Sequence, residues 1–265
     1  MDESEEKPRD AAPRMTVGQH LEELRRRVLR SVLYLAGALV LCFLLNEYIL
    51  GFVLKMPYEV LRSLGHLDPK LPVLSPTEMF LTWLKVAFVA ALLVASPLIT
   101  RELWGFVAAG LYPREKKWVR IFGPFSYLLF LGGVAFLYFV VLPPALRFLY
   151  SFGYDIRIPG VPGDAAVVIP MPDLAQYVSF YISMSLIMGV VFQLPLVMLF
   201  LSATGILSPA FFSKYRRHFV VGAVVLLAIL TPTGDALTLV LVCLPVLLLY
   251  EGGILLGRLF RRRKA

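Results

Sequence analysis

Residues 121–145 read IFGPFSYLLFLGGVAFLYFVVLPPA, from Ile121 to Ala145, without one charged side chain. A helix rises about 1.5 Å per residue, so roughly 20 residues cross a hydrocarbon core about 30 Å thick. This stretch is long enough to span and too apolar for water. Three more runs match it, at 31–50, 79–100 and 176–202. Two shorter runs, 219–230 and 236–250, flank the turn Thr231-Pro-Thr-Gly-Asp235. Their length also fits a re-entrant hairpin; we read them as short helices that meet at a tight turn and cross a locally thinned bilayer. Composition agrees, with 58% apolar and 17% charged residues against roughly 25% charged in soluble domains. The expectation is an all-α integral membrane protein of six transmembrane helices, the last two short.

Charge sets the orientation. Segments 1–30, 101–120, 203–218 and 257–265 hold 20 of the 26 Lys and Arg, whereas 46–78 and 146–175 hold five. The excess of cations in cytoplasmic loops predicts both termini in the cytoplasm. Trp83 then falls at the outer boundary, and Trp104 and Trp118 at the inner one, as an aromatic belt. The net charge of +8 is thereby spent on one membrane face, and no nucleic-acid partner is expected. Pro97, Pro124, Pro143, Pro144, Pro195 and Pro245 should kink or end helices and curve the bundle. Residues 1–14 are polar and expected to be disordered, with Met15 a second candidate start; 15–258 form the six-span domain and 259–265 a basic tail.

Several chemistries are absent from the sequence. Cys42 and Cys243 lie in separate apolar runs, and His20, His66 and His218 share no ligand spacing, so neither a metal nor a disulfide framework is expected. No nucleotide loop or nucleophile–base set occurs, so no cofactor and no enzyme activity is expected.

Two cytoplasmic stretches carry informative charge. In Thr16-Val-Gly-Gln-His20-Leu-Glu-Glu23-Leu24-Arg25-Arg-Arg27, Thr16 and Gln19 suit a capping box. Val17, Leu21, Leu24 and Val28 then form one apolar face. This predicts an amphipathic helix lying on the inner surface before the chain enters the membrane. Glu22 and Glu23 either pair with Arg26 or Arg27 one turn on, or face a ligand. In Leu111-Tyr112-Pro-Arg-Glu115-Lys-Lys117, Pro113 suits a first helical position, and Glu115 either offsets the helix dipole or does the same work as Glu23. Two carboxylates among cations at one face could receive a pair of guanidinium groups, which a carboxylate binds bidentately and in preference to lysine.

Within the membrane, Lys85 is expected to snorkel outward, and Gln193 to satisfy backbone groups freed by Pro195. Asp235 is expected to cap the last helix, and Glu251 to face water at its inner end. A polar pathway of Lys85, Gln193 and Glu251 in a secondary transporter is an alternative, as is a scaffold without substrate; neither internal repeats nor paired broken helices support the transporter.

The chain resembles the TatC family, the polytopic core of the twin-arginine protein translocase. The resemblance rests on His20-Leu-Glu-Glu23-Leu-Arg25, Ser75-Pro-Thr-Glu-Met-Phe80, Ala95-Ser-Pro-Leu98 and Leu103-Trp-Gly-Phe106. It continues through Gly110-Leu-Tyr-Pro-Arg-Glu115, the run from Gly133 to Pro143, Phe192-Gln-Leu-Pro195, Leu230-Thr-Pro232 with Asp235, and Leu249-Tyr-Glu251. It implies a curved, cup-like bundle in the cytoplasmic (inner) membrane of a prokaryote. It also implies a receptor for twin-arginine signal peptides of folded cargo, driven by the proton-motive force without a cofactor. The implied peptide site is Glu23 and Glu115, with His20, Leu24, Arg25, Phe106, Leu111 and Tyr112 around them. TatA-type and TatB-type single-span subunits would dock near Thr231 and Asp235, and the chain would form homo-oligomers within the translocase. Two positions depart from the family pattern: Gln193 replaces a common glutamate, and Leu239 a common glutamine.

Overall fold

The computed structural model describes residues 17–65, 69, 71–111, 116–151, 173–231 and 234–262, and among these every regular element is helical. Helix α1 runs Val17–Leu44 and α2 Asn46–Ser63. Helix α3 runs Pro76–Ala109 and α4 Lys116–Phe136, which passes through a wider π-helical turn, Leu137–Val141, into α5, Leu142–Ser151. Helix α6 runs Leu174–Val191, α7 Leu194–Ala203, α8 Pro209–Lys214, α9 Arg216–Leu230 and α10 Ala236–Arg262. Five helical stretches are long and apolar enough to cross a membrane, so the chain is a multi-pass membrane protein. The fifth expected crossing, α9, has 15 residues, about 22 Å, and is as short as anticipated.

Three expected boundaries are corrected. The amphipathic stretch is not a separate surface helix; it forms the first turns of α1 itself, which continues unbroken to Leu44. The first apolar run, expected to reach residue 50, breaks at Leu45 and restarts as α2, which carries the helix on to Ser63. Asn46 anchors that break, fully buried and donating its amide to the Trp83 carbonyl at 3.0 Å. The last helix is not short. It runs 27 residues to Arg262, because Ile254 keeps the buried face going past Gly252 and Gly253, packing beside Met198 and Tyr250. Part of the expected basic tail is therefore helix, while the 1–14 extension lies outside the described residues.

Two of the prolines inside helices, Pro57 and Pro97, are accommodated by substitute donors. A proline leaves the carbonyl four residues back without its helical donor. Pro57 does this to Val53, and the Tyr177 hydroxyl donates to that oxygen at 2.8 Å. Pro97 does it to Leu93, and the Ser96 hydroxyl donates there at 2.6 Å. The Pro143–Pro144 pair follows the π-helical turn, which shifts the hydrogen-bond register ahead of it.

Helix α1 packs chiefly on α3, α6 fits against α3 and α4, and α10 lies along α7. Gly133 sets the α4–α6 distance: a Cβ there would stand 2.5 Å from the Met188 carbonyl oxygen. The main core gathers Val53, Leu137, Leu142, Leu146, Val178 and Met184. A second cluster of Trp104, Phe122, Leu196 and Phe200 lies towards the cationic end of the bundle. Only 6% of the most apolar stretch of α1 is buried, against 39–44% in the other four spans, so α1 is attached along one edge.

Candidate functional site

The seam between α1 and α3 at the cationic end holds the charged cluster. On α1, His20, Glu23, Leu24 and Arg27 recur at helical spacing and share one face; on α3, Glu102, Gly105 and Phe106 do the same. The Arg27 guanidinium lies between the two helices. Its Nε donates to Glu23 Oε1 at 2.7 Å, and Nη2 reaches the same oxygen at 2.5 Å. Its Nη1 donates to Glu102 Oε2 at 3.2 Å and towards the Glu102 carbonyl at 3.4 Å. Arg30 stands 3.9 Å from Glu102 as well.

Burial explains the arrangement. The Glu102 side chain is 9% exposed, and those of Glu23 and Arg27 about a fifth. A carboxylate so placed keeps its charge only when paired, and Arg27 supplies the partner. Gly105 makes the room: a Cβ there would overlap the Arg27 guanidinium. Next to this cluster the His20 and Phe106 rings stack at 4.4 Å between centroids and 25° between planes. The imidazole reaches the end of α3, where a Cβ at Gly110 would be in ordinary contact with His20 Cε1 at 3.5 Å. A groove of about 250 Å³ continues from there, lined by Leu24, Val28, Leu35, Ile99, Leu103 and Phe106 with Arg27 and Glu102.

Of the residues expected at the peptide site, the structure thus joins His20, Glu23, Leu24 and Phe106. Arg25 points away, 73% exposed and 3.6 Å from Glu22, so Glu22 pairs three residues on rather than with Arg26. Leu111 packs against the Trp104 cluster. Tyr112 and Glu115 lie outside the described residues.

The remaining polar candidates are distributed and internally satisfied. Gln193 donates to the Ser126 and Gly189 carbonyls at 3.1 and 3.3 Å, and its own oxygen accepts from the Ser126 hydroxyl at 2.7 Å. The break between α6 and α7 diverts the Gln193 backbone N–H to Val190, and the side-chain amide serves Gly189 in its place. Lys85 reaches Ser179 at 3.1 Å. Thr231 is buried and donates its hydroxyl to the Leu227 carbonyl at 2.6 Å. Asp235 caps α10 through the Thr238 N–H at 2.7 Å, and Glu251 pairs with Arg216 Nε and Nη2 at 2.6 and 2.9 Å.

Sequence reading passed over Glu102, Gly105 and the double role of Arg27. The signal was present: Glu102 lies four residues before Phe106, on the same helical face, at the end of an apolar run. Among the described residues no cluster of His, Cys, Asp and Glu suited to a metal occurs. What this geometry does chemically is hold a guanidinium between carboxylates beside an aromatic ring and an apolar groove.

The profile of the family described as "Sec-independent protein translocase protein (TatC)" matches residues 19–245. A protein of that name from Koribacter versatilis is 36% identical over 91% of this chain and 84% of its own length. Its namesake from Aquifex aeolicus is 34% identical over 94% of this chain and 98% of its own. A solved structure described as the twin-arginine translocase receptor TatC superposes with a TM-score of 0.75 at 31% identity. It covers 91% of this chain and 98% of the solved one. A second, in the detergent DDM, gives 0.76 at 33% identity, over 90% and 99%. With its helices, its seam of paired charges and this likeness running along nearly the whole chain, the protein belongs to the TatC family of Sec-independent protein translocase proteins.

Proposed function

We propose that this translocase subunit is the receptor that reads the paired arginines of signal peptides on folded cargo. The observation that carries this reading is that Glu23 holds a guanidinium, that of Arg27, through two of its nitrogens. A carboxylate arranged for a guanidinium fork accepts another fork far better than the compact, strongly hydrated lysine ammonium. Glu115, in the segment after α3, supplies the second carboxylate; His20, Leu24 and Phe106 form the surface beside Glu23.

In the same reading, the cationic end faces the cytoplasm, both termini lie there, and the chain crosses a prokaryotic inner membrane six times, with α9 in thinned bilayer. TatA-type and TatB-type single-span subunits dock along α9 and α10 near Thr231 and Asp235, several copies assemble, and the proton-motive force drives export. The protein binds and positions; it does no covalent chemistry and needs no cofactor.

The test is binding of a twin-arginine signal peptide to the purified protein in nanodiscs, against the same peptide with paired lysines. The expected result is an arginine preference of about tenfold or more, lost in Glu23→Gln and Glu115→Gln variants that remain folded. Equal binding of both peptides, or an intact preference in both variants, overturns the reading.

A further inference from the structure

Arg27 occupies the carboxylate that an incoming arginine has to reach. Its Nε and Nη2 both converge on Glu23 Oε1, and among the described residues Oε2 takes no partner. Its third nitrogen already bonds Glu102 on the facing helix at 3.2 Å. We propose that Arg27 is a built-in competitor for the peptide guanidinium and that Glu102 is the carboxylate to which it withdraws, so that this pair sets the preference for arginine over lysine. The proposal rests on Glu23 being the guanidinium acceptor.

The energetics follow from the contacts. An arginine arriving at Oε2 offers Glu23 a fork equivalent to the one it loses. Arg27 is not left unpaired, because the nearly buried Glu102 is within hydrogen-bond reach before the exchange begins. Stranding a partly buried charge is the step that would otherwise cost most. The exchange is therefore close to neutral for arginine. For lysine it is unfavourable, since an ammonium replaces the fork with a single point contact and gives up more hydration. Arg27 thus acts as a threshold: any cation finds an empty carboxylate attractive, whereas only a guanidinium displaces a guanidinium.

Gly105 offers a test that leaves every charge in place. A methyl at this position overlaps the guanidinium end of Arg27, a flexible tip rather than backbone, and alanine is the better helix former by about 1 kcal/mol. Gly105→Ala should displace Arg27 without unfolding α3.

Twin-arginine and twin-lysine peptides are titrated onto full-length protein in nanodiscs, with thermal unfolding as the check on folding. Gly105→Ala and Arg27→Gln are expected to tighten the arginine peptide about threefold to tenfold and the lysine peptide more, so that the arginine-to-lysine ratio shrinks. Glu102→Gln is expected to weaken the arginine peptide by a similar factor, yet to have no effect on top of Arg27→Gln. Arg27→Lys, which keeps the charge but loses the fork, should fall between. Unchanged or weaker binding in both Gly105→Ala and Arg27→Gln overturns the proposal, as does an equal effect of Glu102→Gln in the two backgrounds. Glu23→Gln separates the two levels: if it abolishes the arginine preference while Arg27→Gln leaves the ratio intact, only the competitor role falls. If Glu23→Gln leaves the preference intact, the receptor site itself is wrong.

Discussion

Gln193 and Ser126 satisfy each other across the α4–α7 boundary: the serine hydroxyl donates to the glutamine oxygen at 2.7 Å, and the glutamine nitrogen donates back to the serine carbonyl at 3.1 Å. With the third bond to Gly189, the side chain closes the gap that the helix break opens. Gln193→Leu removes two donated bonds and one accepted bond from this half-buried network. It should destabilise the protein by about 2 kcal/mol, read as a lower unfolding temperature in detergent. Arginine-peptide affinity should not change, because the seam of α1 and α3 is untouched.

Tyr177 should behave similarly at the other end of the molecule. Its hydroxyl is the donor that Pro57 denies to Val53. Tyr177→Phe keeps the ring and strands the carbonyl, at a cost of about 1–2 kcal/mol. If Pro57 is the reason, then Pro57→Ala, which restores a backbone donor, should reduce that cost; a double-mutant cycle in thermal unfolding measures the coupling.

Gly132 and Gly133 provide a matched pair. Both lie in α4, where glycine costs about 1 kcal/mol relative to alanine. Nothing stands near a Cβ at Gly132, whereas one at Gly133 would meet the Met188 backbone. Gly132→Ala should therefore raise the unfolding temperature and Gly133→Ala lower it, since helix α6 would have to move away.

At the cationic end of α10, two contacts compete for importance. Arg216 and Glu251 form a two-point ion pair, but both side chains are nearly half exposed, and such pairs contribute about 1 kcal/mol or less. Tyr250 stacks on Phe219 at 3.8 Å and donates to the Phe212 carbonyl at 2.8 Å from a buried position. Tyr250→Ala should cost about 3 kcal/mol, several times the coupling energy of an Arg216–Glu251 double-mutant cycle.

Apolar runs and cation placement made the helical spans legible in the sequence, because both act over about 20 residues and tolerate local variation. The carboxylate at Glu23 was legible for the same local reason, its Arg27 partner lying one turn away. Glu102 was overlooked: its spacing from Phe106 puts the two on one helical face, but its pairing with Arg27 depends on α1 and α3 lying side by side, which neither segment encodes by itself. The break at Leu45 and the length of α10 were missed because hydropathy marks where a chain is apolar and not where its backbone hydrogen bonds stop. Ile254 extends the packed face beyond residue 250, where the apolar run was read as ending. The cap at Asp235 needed only a neighbouring backbone group, the Thr238 N–H, whereas Gln193, expected to serve the Val191 carbonyl that Pro195 frees, bonds Gly189 and the distant Ser126 instead.

The single-edged attachment of α1 also bears on how the protein is made. Leu44 is followed by 65 residues before α3 ends at Ala109, which at about 5–20 residues per second takes roughly 3 to 13 s of synthesis. During that interval α1 lacks its main packing partner, and the lipid stands in for the helix it will meet. Glu23 and Arg27, being one turn apart, neutralise each other from the moment the helix forms. Glu102 emerges later and finds a waiting cation at the membrane edge, so α1 serves as the template on which the carboxylate of α3 is first made tolerable to the bilayer.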